Sequence, residues 1–182
     1  MQTLDLHGNN LTAVGTLLLR GLPQLQHLRL DGNRISGLDG VVFEGLSWLT
    51  QLQLQNNPLT SVGGGLFAAL TRLEALVLSN TKIVEVSSVA FTGLSALRQL
   101  LLDHVPLAAI PQGVFSGMTS LRLLSLADTN VTTVPLNAFF GLSALETLVL
   151  ASNALLVDIS DNAFSGLPSL QTLDLHDSQL PR

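Results

Sequence analysis

Leucine recurs along this chain at fixed positions of a repeated motif. The pattern L-x-x-L-x-L-x-x-N-x-L begins at residues 1, 25, 49, 73, 97, 121, 145 and 170, with Met1 in place of the first leucine. Six intervals between these starts are 24 residues long and the seventh is 25. A fixed period of roughly 20–50 residues is the signature of stacked structural repeats. The pattern therefore predicts a single repeat domain over residues 1–182.

The fourth and sixth positions of every repeat are leucine, beginning with Leu4 and Leu6. Successive side chains of a strand point to opposite faces, so the leucines face the interior and the residue between them faces outward. Each repeat thus predicts one short strand. Stacking the repeats gives one parallel sheet, and its outward positions are free to vary.

Position nine follows the strand and carries a polar side chain in seven of the eight repeats. These residues are Asn9, Asn33, Asn57, Thr81, Thr129, Asn153 and Ser178. Amides and hydroxyls can bond backbone groups that a turn leaves unpaired. Val105 interrupts this column and cannot do so. We therefore expect the repeat around Val105 to bend differently or to hold a water.

Phenylalanine occupies one fixed place in the segment that returns to the next strand. Six of the seven phenylalanines fall there: Phe43, Phe67, Phe91, Phe115, Phe139 and Phe164. Leu19 takes this place in the first repeat. Stacked aromatic rings are expected to fill the wide side of the coil. The extra residue of the seventh repeat lies within residues 154–159, where we expect the turn to bulge.

These motifs resemble the leucine-rich repeats of the typical 24-residue type, and the resemblance runs from Met1 to Pro181. It implies an α/β solenoid, a right-handed curved horseshoe with about eight short parallel strands on its concave face and mostly irregular convex segments. Similar repeats build the ectodomains of Toll-like and adhesion receptors. The resemblance therefore implies a recognition module that binds a protein ligand or co-receptor, in an extracellular or cell-surface setting.

Secreted members of this family usually close both ends with cysteine-bearing caps, whereas this chain has no cysteine. An uncapped solenoid exposes the apolar column of its terminal coils. We expect Leu4 at one end and Leu173 at the other to be open, the chain to be part of a longer protein, and its ends to support self-association.

Composition narrows the classes of function. Hydrophobic residues make up 47% of the chain and charged residues 12%, which is too apolar for a disordered segment. No run approaches the ~18 apolar residues of a membrane-spanning helix, so no span is expected. Eight lysines and arginines in a chain of net charge −5 argue against a nucleic-acid partner, because phosphate binding uses clustered cations. We therefore expect no nucleic acid among the partners.

Residues that could carry chemistry do not form a recognisable catalytic motif. No H-E-x-x-H motif, nucleophile with a spaced base, or phosphate-cradling loop is present. His7, His27, Asp5 and Asp31 are expected to cluster on the first two strands as a hydrogen-bonded surface group instead of a metal site. The sequence thus predicts no enzymatic activity, no cofactor and no metal.

The outward positions of the middle strands are apolar where the fold does not require it. Contiguous exposed apolar surface often marks a partner site; the alternative is chance outward scatter in a chain rich in leucine and alanine. Arg98 and Arg122 are expected to pair with the flanking Glu74 and Glu146. The predicted ligand-binding residues are Val77, Arg98, Leu101, Asp103, His104, Arg122, Leu123, Asp128 and Val149.

Two further features bear on the setting. The sequons Asn10-Leu11-Thr12 and Asn130-Val131-Thr132 predict glycosylation at Asn10 and Asn130 if the chain is secreted. Trp48, at the last position of its repeat, is expected to pack along the flank.

A structural spacer or assembly scaffold remains the alternative to a recognition module, and an intracellular scaffold is a third possibility.

Overall fold

The computed structural model describes residues 1–180 and contains short strands joined by turns, with one short helix. Pro181 and Arg182, the last two residues of the predicted domain, lie outside the described residues. In chain order the elements are β1 (Thr3–Asp5), α1 (Thr16–Arg20), β2 (His27–Arg29), β3 (Gln51–Gln53), β4 (Ser61–Val62), β5 (Ala75–Val77), β6 (Glu85–Val86), β7 (Gln99–Leu101), β8 (Leu123–Ser125), β9 (Thr133–Val134), β10 (Thr147–Val149), β11 (Asp158–Ile159) and β12 (Thr172–Asp174).

Eight of these strands form one parallel sheet in the order β1-β2-β3-β5-β7-β8-β10-β12. Each strand pairs with the equivalent strand of the next repeat, so that Leu28 lies opposite Leu52 and Leu52 opposite Leu76. These leucines are fully buried. The regular period fixes this register, because a slip by one residue would turn every leucine outward. The predicted leucine-rich-repeat solenoid is confirmed.

The phenylalanine column forms a continuous stack in the core opposite the sheet. Successive ring centroids from Phe43 to Phe164 lie 5.9–6.3 Å apart, with planes within 1–21° of parallel. Leu19 continues the column into the first repeat and is fully buried. Burying such a ring contributes a few kcal/mol, so the column is a main source of stability.

Position nine forms the predicted ladder of hydrogen bonds behind the sheet. The side-chain amide of Asn153 donates to the carbonyl oxygens of Leu126 and Leu150, and its Oδ1 accepts from the backbone N–H of Thr129. Asn57 makes the equivalent bonds to the carbonyls of the repeat before it and of its own repeat. Asn33, Asn57 and Asn153 therefore each link two successive coils.

The turn after each concave strand places its eighth residue in the left-handed region. These residues are Gly8, Gly32, Asn56, Asn80, His104, Asp128, Ser152 and Asp177, with φ between 52° and 65°. The repeat around Val105 keeps this turn, with φ of 55° at His104 and a bond of 2.9 Å from the His104 N–H to the Ala127 carbonyl. The first of the two alternatives expected at Val105, a change of bend, is therefore wrong. Val105 is buried and supplies core packing in place of the amide bonds.

The extra residue of the seventh repeat is absorbed in a turn. The N–H of Leu156 donates to the carbonyl of Asn153, and Leu156 is buried while Leu155 projects with half of its surface exposed. The insertion therefore bulges outward and leaves the strands on either side in register, as Leu148 still lies opposite Leu173.

The return segments hold little regular structure. Strand β4 pairs with β6 and β9 with β11, as two small parallel sheets. Within residues 1–180, no helix has the length and apolar character needed to cross a membrane. At the two ends Leu4 is half-buried and Leu173 is 38% exposed, so the terminal coils are more open than the middle ones, in which the equivalent leucines are fully buried.

Candidate functional site

Four half-buried side chains lie on the outward face of the middle strands: Val77, Leu101, Leu123 and Val149. We call these residues the apolar patch. Val77 on β5 lies directly opposite Leu101 on β7. Ser125 stands between Leu101 and Val149 in the same row, while Leu123 lies two residues earlier on β8. The patch thus spans four repeats but is divided by one buried hydroxyl.

Asp103 lies beside the apolar patch and is held by two hydroxyl groups. The hydroxyl of Ser79 donates to its carboxylate at 3.1 Å, and the hydroxyl of Ser125 donates to the other carboxylate oxygen. The backbone N–H of Ala127 lies 3.4 Å from that same oxygen. Asp103 is half-buried and bridges three successive repeats. The carboxylate of Asp103 therefore links three repeats to one another and is itself part of the concave surface.

His104 and Asp128 form an exposed pair at the edge of the sheet. Nδ1 of His104 lies 2.7 Å from Oδ2 of Asp128, and more than half of each side chain is exposed. Both residues occupy the left-handed turn position, a conformation in which histidine and aspartate are enriched. The pair therefore lies in the turns that follow strands β7 and β8, next to the outward face of the sheet.

The arginines at position two pair with glutamates as predicted. Nη1 of Arg98 lies 3.9 Å from the Glu74 carboxylate, and Nη1 of Arg122 lies 3.1 Å from that of Glu146. All four side chains are largely exposed, so these pairs contribute little to stability. The two pairs place equal numbers of positive and negative charges at the amino-terminal ends of strands β5, β7, β8 and β10.

Trp48 and Arg72 form a contact that the sequence reasoning missed. Cζ of Arg72 lies 3.7 Å from the centroid of the Trp48 ring, and 41% of Trp48 is exposed. The two residues hold the same position in successive repeats, which is the sequence signal for their contact. A shallow pocket of about 360 Å³ lies beside them, lined by Gln26, Trp48, Thr50, Arg72, Glu74 and Ala96.

Three of the four residues expected to cluster on the first two strands, His7, Asp5 and Asp31, come together there. Arg29 contacts the carboxylates of Asp5 and Asp31, and Nδ1 of His7 lies 2.7 Å from Asp5. The side-chain hydrogen bond from His7 is the largest cause that lowers the pKa of Asp5. His27 lies apart from the carboxylates, with Nδ1 at 3.4 Å from the Thr3 hydroxyl. Among residues 1–180 no group of three potential metal ligands comes together.

The last strand repeats this arrangement, because residues 171–176 have the same sequence, QTLDLH, as residues 2–7. Nδ1 of His176 lies 2.6 Å from Asp174. This hydrogen bond is the largest cause that raises the pKa of His176 and lowers that of Asp174.

The two sequons are accessible, since Asn10 and Asn130 are both exposed.

The family profile described as leucine rich repeat matches residues 1–59, 48–107, 102–155 and 124–180. Among solved structures, the crystal structure of a TLR13–ssRNA13 complex is similar, with a TM-score of 0.93 and 34% sequence identity. The match covers 99% of this chain and 25% of that one, so the chain spans about a quarter of that protein's length. No curated protein sequence matches the chain.

The expected exclusion of nucleic acid as a partner class is wrong. The similar TLR13 structure is a complex with single-stranded RNA. A count of lysine and arginine is a poor basis for exclusion, because neutral side chains and backbone N–H groups also contact nucleic acid. The repeats themselves, matched along nearly the whole chain, support a binding module of a kind that is typically non-catalytic. The chain belongs to the leucine-rich-repeat family.

Proposed function

We propose that this chain is part of an extracellular recognition module that binds a protein ligand on its concave face, at the fourth to seventh repeats. The observation that carries the proposal is the apolar patch. The fold needs apolar side chains inside the coil and not on the outward face of β5, β7, β8 and β10. Apolar residues on this outward face are explained if a ligand covers them.

The charges around the apolar patch are compatible with burial under a protein. Arg98 and Arg122 are already paired with glutamates, and Asp103 already accepts hydrogen bonds from two hydroxyls. Covering the patch therefore removes hydrophobic surface from water while the arginines keep their ion pairs and Asp103 keeps its hydrogen bonds. A protein ligand with its own apolar centre and polar rim fits this arrangement.

An extracellular setting is supported by two observations. The family resemblance and the similar TLR13 structure point to a receptor ectodomain. Both sequons are exposed, so an oligosaccharide can be attached to Asn10 or Asn130 without disturbing the core. Asn130 lies two residues after Asp128, so its glycan would stand at the edge of the proposed contact surface.

The proposal is tested by measuring binding of the chain to a panel of secreted proteins and receptor ectodomains, with a single-stranded RNA oligonucleotide in parallel. The informative variant is Leu101→Glu, which puts a charge in the centre of the apolar patch. The matched control is Leu136→Glu, since Leu136 is an exposed leucine of a return segment.

We expect a protein of the panel to bind, and its affinity to fall at least about tenfold with Leu101→Glu while Leu136→Glu leaves it unchanged. Equal affinity for both variants would place the site elsewhere. RNA binding that is lost with Leu101→Glu, without any protein partner, would replace the protein ligand by nucleic acid. Absence of any ligand would favour the spacer or scaffold alternative.

A further inference from the structure

The single tryptophan of the chain lies on the rim of the concave sheet. Trp48 and Arg72 end successive repeats and precede strands β3 and β5, so the 24-residue period places Arg72 over the indole at 3.7 Å. A guanidinium that stacks on an aromatic ring uses its face for that contact. Its N–H groups lie in the guanidinium plane and remain able to donate.

Arg72 differs from the arginines of the structure that pair with a carboxylate. Arg20, Arg29, Arg98 and Arg122 each lie within 3.9 Å of a carboxylate oxygen. Within the part of the chain that the structure describes, no carboxylate comes that close to Arg72. The stacking contact with Trp48 holds its guanidinium in place without neutralising it.

The charge around the pocket favours an anion. Glu74 lines the same pocket, but its carboxylate faces Arg98 at 3.9 Å. Among the lining residues Arg72 is positive and Glu74 negative, and Arg98, which lies outside the lining, offsets Glu74. The guanidinium of Arg72 is therefore left to accept one negative group.

The shape of the pocket suits a single side chain. Ala96 follows Arg72 at the same repeat position, and its small side chain leaves the open volume of about 360 Å³. Gln26 and Thr50 also line the pocket, and the Thr50 hydroxyl donates to the Gln26 carbonyl at 3.0 Å. The Gln26 amide can donate to a ligand oxygen.

We propose that Trp48 and Arg72 form an anchor site for a carboxylate of the protein ligand, which an aspartate, a glutamate or a chain terminus can supply. The carboxylate accepts hydrogen bonds from the guanidinium edge, and the carbon atoms beside it pack on the indole. This inference rests on the proposed function, because the site adjoins the apolar patch through strand β5, which carries Val77. Tryptophan and arginine are the residue types that most often dominate binding energy.

Trp48 supplies its own readout, because the chain has one tryptophan and no tyrosine. The full chain is titrated with the peptide acetyl-Ser-Glu-Ser-Glu-Ser-amide and with its glutamine counterpart while tryptophan fluorescence is followed. We expect a saturable change with the glutamate peptide and binding at least about tenfold weaker with the glutamine peptide. An equal response to both peptides would overturn the proposal.

Three variants test whether binding needs the planar guanidinium group of Arg72 or only its positive charge. Binding is followed by the amide NMR shifts of Thr50 and Ala96. Arg72→Gln should abolish binding of the glutamate peptide, and Arg72→Lys should weaken it several-fold because lysine is a point charge without the planar fork. Arg34→Gln removes another exposed arginine and should change nothing. Binding that survives Arg72→Gln would reject the site.

Two further results distinguish the anchor site from the proposed function. A ligand that is lost with Leu101→Glu but bound equally by Arg72→Gln would reject the anchor and leave the concave-face function intact. Binding of the glutamate peptide without any protein ligand would retain the carboxylate site and reject the function. A fluorescence change with uridine-rich single-stranded RNA, and none with the glutamate peptide, would also overturn the anchor.

Discussion

Phe67 and Phe91 lie 24 residues apart in sequence, and their rings stack with centroids 6.2 Å apart and planes within 5° of parallel. Each ring from Phe67 to Phe139 stacks on the ring before it and on the ring after it. A central phenylalanine therefore supports two neighbouring coils at once. In a solenoid, where each repeat contacts only its neighbours, a defect at such a position weakens both interfaces.

Phe91→Ala should lower the free energy of unfolding by about 3–5 kcal/mol, because it leaves a cavity in the middle of the column. Phe140→Ala is the matched control, since Phe140 is the one phenylalanine outside the column and is 66% exposed. It should cost less than about 0.5 kcal/mol. Gln53→Ala, on the concave face, should be similarly harmless. Chemical denaturation measures the free energy of unfolding of each variant. An equal loss for Phe91→Ala and Phe140→Ala would contradict the assigned core.

Asn153→Val should lower the free energy of unfolding by about 2–4 kcal/mol, because it leaves the Leu126 carbonyl and the Thr129 N–H without partners and removes one of the two donors to the Leu150 carbonyl. Asn9→Val is the control. Asn9 is exposed and bonds only to carbonyls of its own turn, so its loss should cost less than about 1 kcal/mol. A comparable loss at both positions would show that the asparagines do not act by linking coils.

The pKa of His176 should lie above its ordinary value of 6.5 and fall back towards that value in Asp174→Asn, because the hydrogen bond to Asp174 is the largest cause of the shift. Asp177→Asn should lower it less. NMR titration of the imidazole protons measures each value. A pKa of His176 that is unchanged by Asp174→Asn would contradict the observed pairing.

The same pair gives a pH dependence of stability with a defined sign. The raised pKa of His176 stabilises the fold fully below 6.5, and this contribution is lost as the pH rises through the folded value. The lowered pKa of Asp174 stabilises the fold above 3.8, and this contribution is lost as the pH falls through its folded value. Stability that Asp174→Asn leaves unchanged between these limits would argue against the coupling.

Expression through a secretory pathway should yield a chain with glycan at Asn130, since this asparagine is exposed in an irregular segment. Peptide mass spectrometry measures its occupancy, and Asn130→Gln should remove the added mass. Asn153 is the internal control, because it is buried and lies outside any sequon. Unmodified Asn130 in the secreted chain would remove glycosylation from the account.

The parts of the fold that depend on period were predictable from the sequence. Leucine pairs such as Leu52 and Leu54 show the two-residue alternation of a strand, and the phenylalanines show the 24-residue period of the coil. Both periods can be read by counting. The left-handed turn at position eight was also readable, because Gly32, Asn56 and His104 are residue types that accept positive φ.

The details of the site depend on side-chain conformation, which the period does not determine. Ser79 and Ser125 lie on either side of Asp103, yet only the rotamers show that both hydroxyls donate to its carboxylate. The contact between Trp48 and Arg72 required a comparison of the same position across repeats. The unchanged bend at Val105 was not predictable from the sequence, because a turn can keep its backbone conformation when core packing replaces one of its bonding side chains.

The most direct test of the central claim measures which surface the ligand covers. The chain has no cysteine, so Leu101→Cys and Leu136→Cys each introduce a single thiol, in the apolar patch and in a return segment respectively. The rate of maleimide labelling is measured with and without the protein ligand. A ligand on the concave face should slow labelling at Leu101 at least about tenfold and leave Leu136 unchanged, since burial under a ligand excludes the reagent. Labelling at Leu101 that is as fast in the complex as in the free chain would contradict the account.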